Sequence, residues 1–168
     1  SFSRLEGSDP ILGVDMVSTG EVGCLGYTFN EALIKSMLSV GYNIPKKNIF
    51  IYINSIKNRK IMLNYIKLLI INNYIIFSKN GTYNFFIENN ILCKNIDDTN
   101  LIDNLKKIDL IINITYKNNK NDYLIRRAAI DFNIPLLTNI CLAKVFIISF
   151  CEIKSFKRIP ILHWNSYK

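Results

Sequence analysis

From residue 48 onward, short apolar runs alternate with amphipathic segments, and this alternation restricts the possible fold more than any other feature of the sequence. Strands that alternate with helices along the chain are typical of a doubly wound parallel sheet. The runs are continuously apolar, as expected for strands that helices cover on both faces. The predicted strands are residues 48–54, 74–78, 91–96, 109–115 and 135–138. The sequence therefore predicts an α/β domain with a five-stranded parallel sheet.

The helical spacing of apolar residues predicts the elements around these strands. A first helix over 28–41 has a capping-box pattern in Thr28 and Glu31, and Gly41 suits the position that follows the last turn. Thr99 is predicted to be the N-cap of a later helix. The later predicted helices are residues 57–71, 82–89, 99–107, 122–132 and 140–150.

Residues 1–27 differ from the remainder of the chain. They are rich in glycine and have short apolar pieces with no clear period, which indicates strand and turn segments of another unit. Pro45 breaks the chain after the first helix and predicts a boundary. We therefore expect four parts: a preceding unit (1–27), a linking helix (28–45), the α/β domain (46–152) and a C-terminal tail (153–168).

The turn after the second predicted strand, Lys79-Asn80-Gly81-Thr82, has three interpretations. Asn80-Gly81-Thr82 is an N-glycosylation sequon, which would matter only in a secreted chain. Asn-Gly between two apolar runs is a strong signal for a β-hairpin. In a β-α-β series, however, the same turn leads into a helix, and the polar residues that follow it do not suit a central strand. The N–H groups at the start of such a helix can bind an anion. The context therefore favours an anion-binding turn.

Polar and cationic residues follow several predicted strands, and ligands of doubly wound sheets bind at the carboxyl ends of the strands. Backbone N–H groups and cationic side chains there could bind a phosphate, and an amide could bind a ribose or a carboxylate. Ordinary roles also remain open: solvated cations in a first helical turn, a helix N-cap and a strand end. The candidate effector- or phosphate-binding residues are Lys57, Arg59, Lys79, Gly81, Thr82 and Asn113.

Other classes of function have little support in the sequence. The net charge of +8 is scattered without a run of five like charges, which argues against nucleic-acid binding. The four cysteines lack metal-site spacing and His163 is the single histidine, so we expect neither a metal ion nor a catalytic residue. The N-terminus does not resemble a signal peptide, and the most apolar stretch, 61–77, is interrupted by polar residues. These features predict a cytoplasmic location without a membrane partner.

Two parts of the sequence resemble the end of the large chain of carbamoyl phosphate synthetase. Residues 2–49, with "STGEV" and the pattern "SML-S-G---PKK", resemble the close of its second ATP-grasp unit and the join to its last domain. "DLIINI" and "DYLIRRAAIDFNIPLLTN" resemble that last domain, which is methylglyoxal-synthase-like and regulatory. The similarity covers residues 2–150 and leans towards eukaryotic, pyrimidine-pathway forms.

The resemblance implies an allosteric domain of a glutamine-dependent enzyme of pyrimidine synthesis, with no catalytic residue in this segment. ATP and Mg would be cofactors of the parent enzyme only. The implied partners are the remaining synthetase and glutaminase domains and a phosphorylated effector such as UTP or phosphoribosyl pyrophosphate; in urea-cycle forms the effector is N-acetylglutamate. The family's phosphate turn reads "AT-GT", and "SKNGT" here keeps Gly81 and Thr82 but has Lys79 in place of the first threonine. Asp98 falls where related domains have Lys or Trp.

A stand-alone lyase is the alternative that the resemblance leaves open. Methylglyoxal synthase shares the fold, acts on dihydroxyacetone phosphate and needs a carboxylate base beside the phosphate turn. Asp97, Asp98 and Asp109 are the nearest candidates in the sequence, although none lies in a clear motif.

Overall fold

The computed structural model describes residues 22–115, 120–153, 159 and 162–167. These residues form a five-stranded parallel sheet and six α-helices, which confirms the predicted fold class. The strands are β1 (Asn48–Ile53), β2 (Ile75–Ser78), β3 (Cys93–Asn95), β4 (Leu110–Ile114) and β5 (Leu136–Leu137). The α-helices are α1 (Phe29–Ser39), α2 (Ile56–Ile71), α3 (Asn80–Glu88), α4 (Leu101–Leu105), α5 (Lys120–Asp131) and α6 (Ile140–Glu152). Short 3₁₀ turns cover Asp98–Asn100 and Trp164–Ser166.

The strand order is β3-β2-β1-β4-β5. The chain builds the sheet outward from β1 to β3 and then returns to place β4 on the other side of β1. β1 and β4 are paired in parallel up to Ile53 and Ile114, so their carboxyl ends lie side by side. The order of strands reverses between β1 and β4, and a crevice at such a point is the usual ligand site of this architecture.

Both faces of the sheet are covered, as the continuous apolar strands predict. Along β1, alternate residues point to opposite faces and enter two separate apolar clusters. One cluster joins β1 to α1, α2 and α6 and includes Ile34, Ile49, Ile51, Ile53, Met62 and Phe146. The other joins β1 to α4 and α5 and includes Phe50, Tyr52, Leu105, Ile111 and Ile125.

Helix α1 is part of the core. The Thr28 hydroxyl accepts a hydrogen bond from the Glu31 N–H at 3.2 Å, as predicted, while the Glu31 carboxylate accepts from the N–H of Tyr27 at 3.0 Å. Ile34 is fully buried in the cluster that includes β1, and α1 packs against α6. Gly41 follows the helix at φ +88, the left-handed conformation expected of that position. The segment predicted as a linking helix therefore packs on the sheet domain.

The starts of α3, α4 and α5 each differ from the sequence predictions by two residues. Helix α3 begins at Asn80 rather than at residue 82, because Lys79 is already at the extended N-cap position and the turn is shorter than expected. The prediction of Thr99 as an N-cap is wrong. Thr99 lies inside the 3₁₀ turn, α4 starts only at Leu101, and Asn100 occupies its N-cap position.

The first predicted part of the chain lies mostly outside the described residues. Residues 1–21, which carry most of the expected strand and turn segments, are not among them, and residues 22–26 form neither strand nor helix. In the described part of the chain, no helix is both long enough and apolar enough to cross a membrane.

Candidate functional site

The candidate site lies at the carboxyl edge of β1, β2 and β4, where the strand order reverses. Three groups of residues meet there: the start of α3 after β2, the start of α2 after β1, and α5 beside the end of β4. Each strand delivers the following segment to the same edge because all the strands run in one direction.

The first turn of α3 is open to a ligand. Lys79 occupies the N-cap with an extended backbone, and its side chain accepts no hydrogen bond from the first N–H groups of the helix, since an ammonium group has no acceptor. Asn80 adopts φ +50, a left-handed conformation that asparagine tolerates better than most residues. Gly81 is exposed at the second helical position. Free N–H groups at a helix start are a suitable site for an anion.

Arg59 brings a guanidinium group to this turn. Its Nε donates to the carbonyl oxygen of Ile53, the last residue of β1, at 2.6 Å, which fixes the direction of the side chain. A Cβ placed on Gly81 would lie 3.2 Å from Nη2 and 3.4 Å from Nη1 of Arg59, so the glycine permits this close approach. Partial burial lowers the pKa of Arg59 from its ordinary value, and a guanidinium remains charged in proteins.

Lys79 is fully buried and pairs with Asp98, whose side chain is 55 % exposed. The ammonium group also lies 5.8 Å from the centre of the Tyr52 ring. Burial raises the pKa of the Tyr52 phenol, so this residue presents a neutral aromatic face to the cation. The counter-charge of Lys79 is therefore a carboxylate that itself lies in contact with water.

Amide and carboxylate groups lie beside the ends of β1 and β4. Asn113 is buried, and its Nδ2 donates to the backbone oxygen of Asp122 at 3.4 Å. The Oδ1 of Asn113 is buried and has no hydrogen-bond partner among the described residues. Asn54, which follows β1, donates from Nδ2 to the carboxylate of Asp122 at 3.1 Å. An unpaired buried acceptor beside a cationic turn suits a ligand that carries both an anionic group and a hydroxyl or N–H donor.

Comparison with known proteins identifies the domain to which this edge belongs. The family model described as "MGS-like domain" matches residues 61–138, a range that runs from α2 to the end of β5. Residues 61–138 belong to the MGS-like domain family.

The relatives of this MGS-like domain include much longer proteins. The chain is 41 % identical over 189 residues to multifunctional protein ura1 of Schizosaccharomyces pombe, an alignment that covers 100 % of this chain and 8 % of that protein. It is 37 % identical over 173 residues to multifunctional protein CAD of Squalus acanthias, covering 88 % of this chain and 8 % of CAD. It is 32 % identical over 182 residues to human mitochondrial carbamoyl-phosphate synthase [ammonia], an alignment that covers 99 % of this chain and 12 % of that protein. The resemblance to the end of the carbamoyl phosphate synthetase large chain is thereby confirmed.

The folded chain brings some of the predicted site residues together. Arg59, Lys79 and Gly81 surround the start of α3, and Asn113 lies at the end of the neighbouring strand β4. Lys57 is exposed in the first turn of α2, and its side chain makes no hydrogen bond or ion pair with another described residue. Lys57 and Arg59 are two positions apart on a helix and therefore point in different directions.

Thr82 has a structural contact that the sequence does not reveal. Its buried hydroxyl donates to the carbonyl oxygen of Ile53 at 2.9 Å and accepts from the N–H of the same residue at 3.1 Å. β2 ends before this level of the sheet, so Thr82 occupies the place where a further strand residue would pair with β1. The N–H of Thr82 remains in the first turn of α3, whereas its hydroxyl is engaged by the sheet.

The carboxylates proposed for a lyase occupy three different environments. Asp98 pairs with Lys79, and Asp97 accepts from Nδ2 of Asn95 at 2.8 Å. Asp109 precedes β4 and accepts from the N–H groups of Lys47 and Asn48, both at 2.8 Å, so it lies at the opposite, amino edge of the sheet.

Asp122 and Arg126 are the site residues that sequence reasoning missed. Both are fully buried on α5, and Nη1 of Arg126 donates to the Thr115 hydroxyl at 3.2 Å. Their positions share one helical face with the buried Ile125 and Ala129. A pair of opposite charges, four residues apart on the apolar stripe of a helix, was the available signal, because buried charges require partners. Among the described residues, no group of His, Cys, Asp and Glu side chains could hold a metal ion.

Proposed function

We propose that this chain is an allosteric effector-binding domain of a glutamine-dependent carbamoyl phosphate synthetase of pyrimidine synthesis. We further propose that it binds a phosphorylated nucleotide or sugar, such as UTP or phosphoribosyl pyrophosphate. The observation that carries the proposal is the uncapped first turn of α3, which the Arg59 guanidinium approaches over Gly81 at the point of strand reversal. The relatedness to carbamoyl-phosphate synthase and to multifunctional proteins supports the same parent enzyme.

In this proposal a phosphate group binds the N–H groups at Asn80 and Gly81 and the guanidinium of Arg59. Charge-assisted hydrogen bonds of this kind are stronger than neutral ones. The free Oδ1 of Asn113 accepts from a hydroxyl of the ribose or from an N–H of the base. Such a ligand spans the ends of β2, β1 and β4, which lie next to one another in the sheet.

Regulation follows if the effector binds one state of the synthetase more tightly than another. The chain spans only 8 % to 12 % of the length of the relatives named above, so the catalytic steps, with their ATP and Mg, are assigned to other parts of the parent protein. If the effector changes the affinity of the enzyme for ATP or a substrate by some factor, thermodynamic linkage requires that ATP or this substrate change the affinity for the effector by the same factor.

An exposed apolar face is the surface that we assign to contact with the remaining synthetase domains. It is the pocket lined by the exposed apolar side chains of Leu25, Leu38, Leu162 and Trp164. Exposed apolar side chains that lie together often mark an interface.

Isothermal calorimetry of the chain with UTP and with phosphoribosyl pyrophosphate tests the proposal. We expect binding of at least one ligand and a loss of affinity of at least about tenfold in Arg59→Gln, because a charge-assisted contact contributes about 1.5–3 kcal/mol. Lys60→Gln is the matched control, since Lys60 is an exposed cation of the same helix. No heat from either ligand at millimolar concentration would refute the nucleotide and sugar proposal.

A lyase acting on dihydroxyacetone phosphate remains the second candidate because Asp122 places a carboxylate at the carboxyl edge of the sheet. The carboxylate already accepts from Asn54 and is buried, and we expect it to hold the two strand ends together rather than to remove a proton. Incubation with dihydroxyacetone phosphate should yield no methylglyoxal above a no-protein control. Steady formation of methylglyoxal that Asp122→Asn abolishes would establish the lyase instead.

A further inference from the structure

The buried ion pair between Lys79 and Asp98 carries a further inference, which rests on the proposed phosphate site and concerns its regulation. Lys79 lies at the N-cap of α3, immediately before the turn that is open to an anion. Its charge is fully buried, while the carboxylate of Asp98 is 55 % exposed. The two partners of this pair therefore differ greatly in how much water they contact.

We propose that Asp98 is a built-in competitor for the phosphate site, which occupies Lys79 in the free domain and is displaced by the phosphate of the ligand. A buried ammonium group without a counter-ion is strongly unfavourable, so Lys79 needs an anion in every state. A carboxylate or a phosphate can fill that role. The exchange leaves Lys79 paired and transfers a half-exposed carboxylate into water, where it is well solvated.

The position of Asp98 makes this exchange possible without disturbing the core. Asp98 begins the 3₁₀ turn Asp98–Asn100, and residues 97–100 are all exposed. The buried side chains of Ile96 and Leu101, which flank the turn in the sequence, anchor it to the core. Release of the carboxylate therefore needs only a side-chain rotation or a small shift of an exposed turn, which follows β3 at the same edge of the sheet.

The pair also gives Lys79 a function in place of the family's threonine. A threonine hydroxyl could bind a phosphate but would need no counter-ion. A lysine binds a phosphate more strongly as a charge but must be neutralised when the site is empty. The effector then gains affinity from one cationic contact, but the competition with Asp98 for Lys79 cancels part of that affinity.

The test compares Asp98→Asn with wild type and with Asp97→Asn, which removes the same charge from the adjacent exposed residue. Thermal unfolding is followed at rising concentrations of inorganic phosphate, of UTP and of phosphoribosyl pyrophosphate. We expect Asp98→Asn to unfold at a lower temperature without anion, to regain that stability with phosphate, and to bind the phosphorylated probe about three- to tenfold more tightly than wild type. Asp97→Asn should show neither change.

The outcomes separate this inference from the proposed function. If wild type binds UTP or phosphoribosyl pyrophosphate and Asp98→Asn binds it equally or more weakly, the competition is refuted and the proposed function stands. A loss of stability in Asp98→Asn that phosphate does not restore shows a purely structural pair and also refutes it. If Asp98→Asn gains phosphate binding while wild type binds no phosphorylated probe, Asp98 keeps the site closed in the wild-type chain, and both the displacement and the proposed function are refuted.

A measurement on the wild-type chain covers the case in which Asp98→Asn does not fold. The carboxyl ¹³C resonance of Asp98 should shift as phosphate is added, because the carboxylate leaves a buried cation for water. The Asp97 resonance is the internal control. An Asp98 resonance that does not move at saturating phosphate would refute the displacement.

Discussion

Replacing Thr82 with valine tests whether this residue supports the sheet or binds the ligand. The substitution keeps the shape of the side chain and removes only the hydroxyl. In the structure that hydroxyl is the partner of both the N–H and the C=O of Ile53, at 3.1 Å and 2.9 Å, in a buried environment. The carbonyl oxygen of Ile53 would keep its hydrogen bond from Nε of Arg59, so the substitution leaves the buried N–H of Ile53 without a partner, which costs about 1–3 kcal/mol. For a chain of this size, that corresponds to a fall in melting temperature of about 2–12 °C.

Chemical denaturation and thermal scanning of three variants give the assay. Thr82→Ser keeps the hydroxyl and loses one buried methyl group, so we expect a loss of only about 1 kcal/mol. Thr99→Val removes an exposed hydroxyl from the 3₁₀ turn and should change stability by less than about 0.5 kcal/mol. The order of stability is therefore Thr99→Val, then Thr82→Ser, then Thr82→Val. A Thr82→Val chain that is at least as stable as Thr82→Ser would refute the assigned role of the hydroxyl.

Two further predictions follow from the site and from the cysteines. Gly81→Ala should weaken effector binding, because its Cβ would lie 3.2 Å from Nη2 of Arg59 and displace the guanidinium. Gly23→Ala is the control, because a Cβ at Gly23 would meet no atom within 4 Å. If calorimetry shows that Gly81→Ala binds the effector with unchanged affinity, the predicted phosphate contact is contradicted. Burial raises the pKa of Cys93 to about 12 and that of Cys151 to about 11, so at pH 8 their thiolate fractions are on the order of one in a thousand or less. An aromatic disulfide reagent should therefore label the exposed Cys141 first, and mass spectrometry that finds early native-state labelling of Cys93 would show that this part of the core opens.

The sheet could be predicted from the sequence because its strands are buried on both faces. Burial on both faces requires continuous apolar runs, and the run of β4, Leu110–Ile114, shows this most clearly since all five residues are buried. The interpretation of Asn80-Gly81 depended on this context. Asn-Gly by itself favours a hairpin between antiparallel strands, whereas parallel strands require a crossover connection, and here that connection is the helix α3. The start of α4 was predicted less well, because five residues are too few to show a helical period.

The site was only partly predictable because side-chain direction depends on tertiary contacts. The sequence supports Lys57 and Arg59 equally as phosphate-binding candidates. The structure distinguishes them, because only Arg59 is directed to the site by a hydrogen bond to the carbonyl oxygen of Ile53. Thr82 is in the expected turn, but its hydroxyl is taken by the end of β1, which depends on β2 being shorter than β1. Asp122 was assigned only to an amphipathic helix, although a charged residue on the buried face of that helix is a pattern that calls for a polar partner.

The two departures from the family's phosphate pattern, Lys79 and Asp98, are a single feature of the folded chain. In the sequence they are 19 residues apart and raise separate questions about the ligand, whereas in the structure they form one ion pair. Replacing Lys79 with the family's threonine would therefore remove a possible phosphate contact and also release Asp98 from its partner. The two effects oppose each other in effector affinity, so an unchanged affinity in Lys79→Thr would not exclude Lys79 from the site. Only the double-mutant cycle of Lys79→Thr and Asp98→Asn separates them: a coupling energy between the two substitutions in effector binding is required if both groups act on the same phosphate.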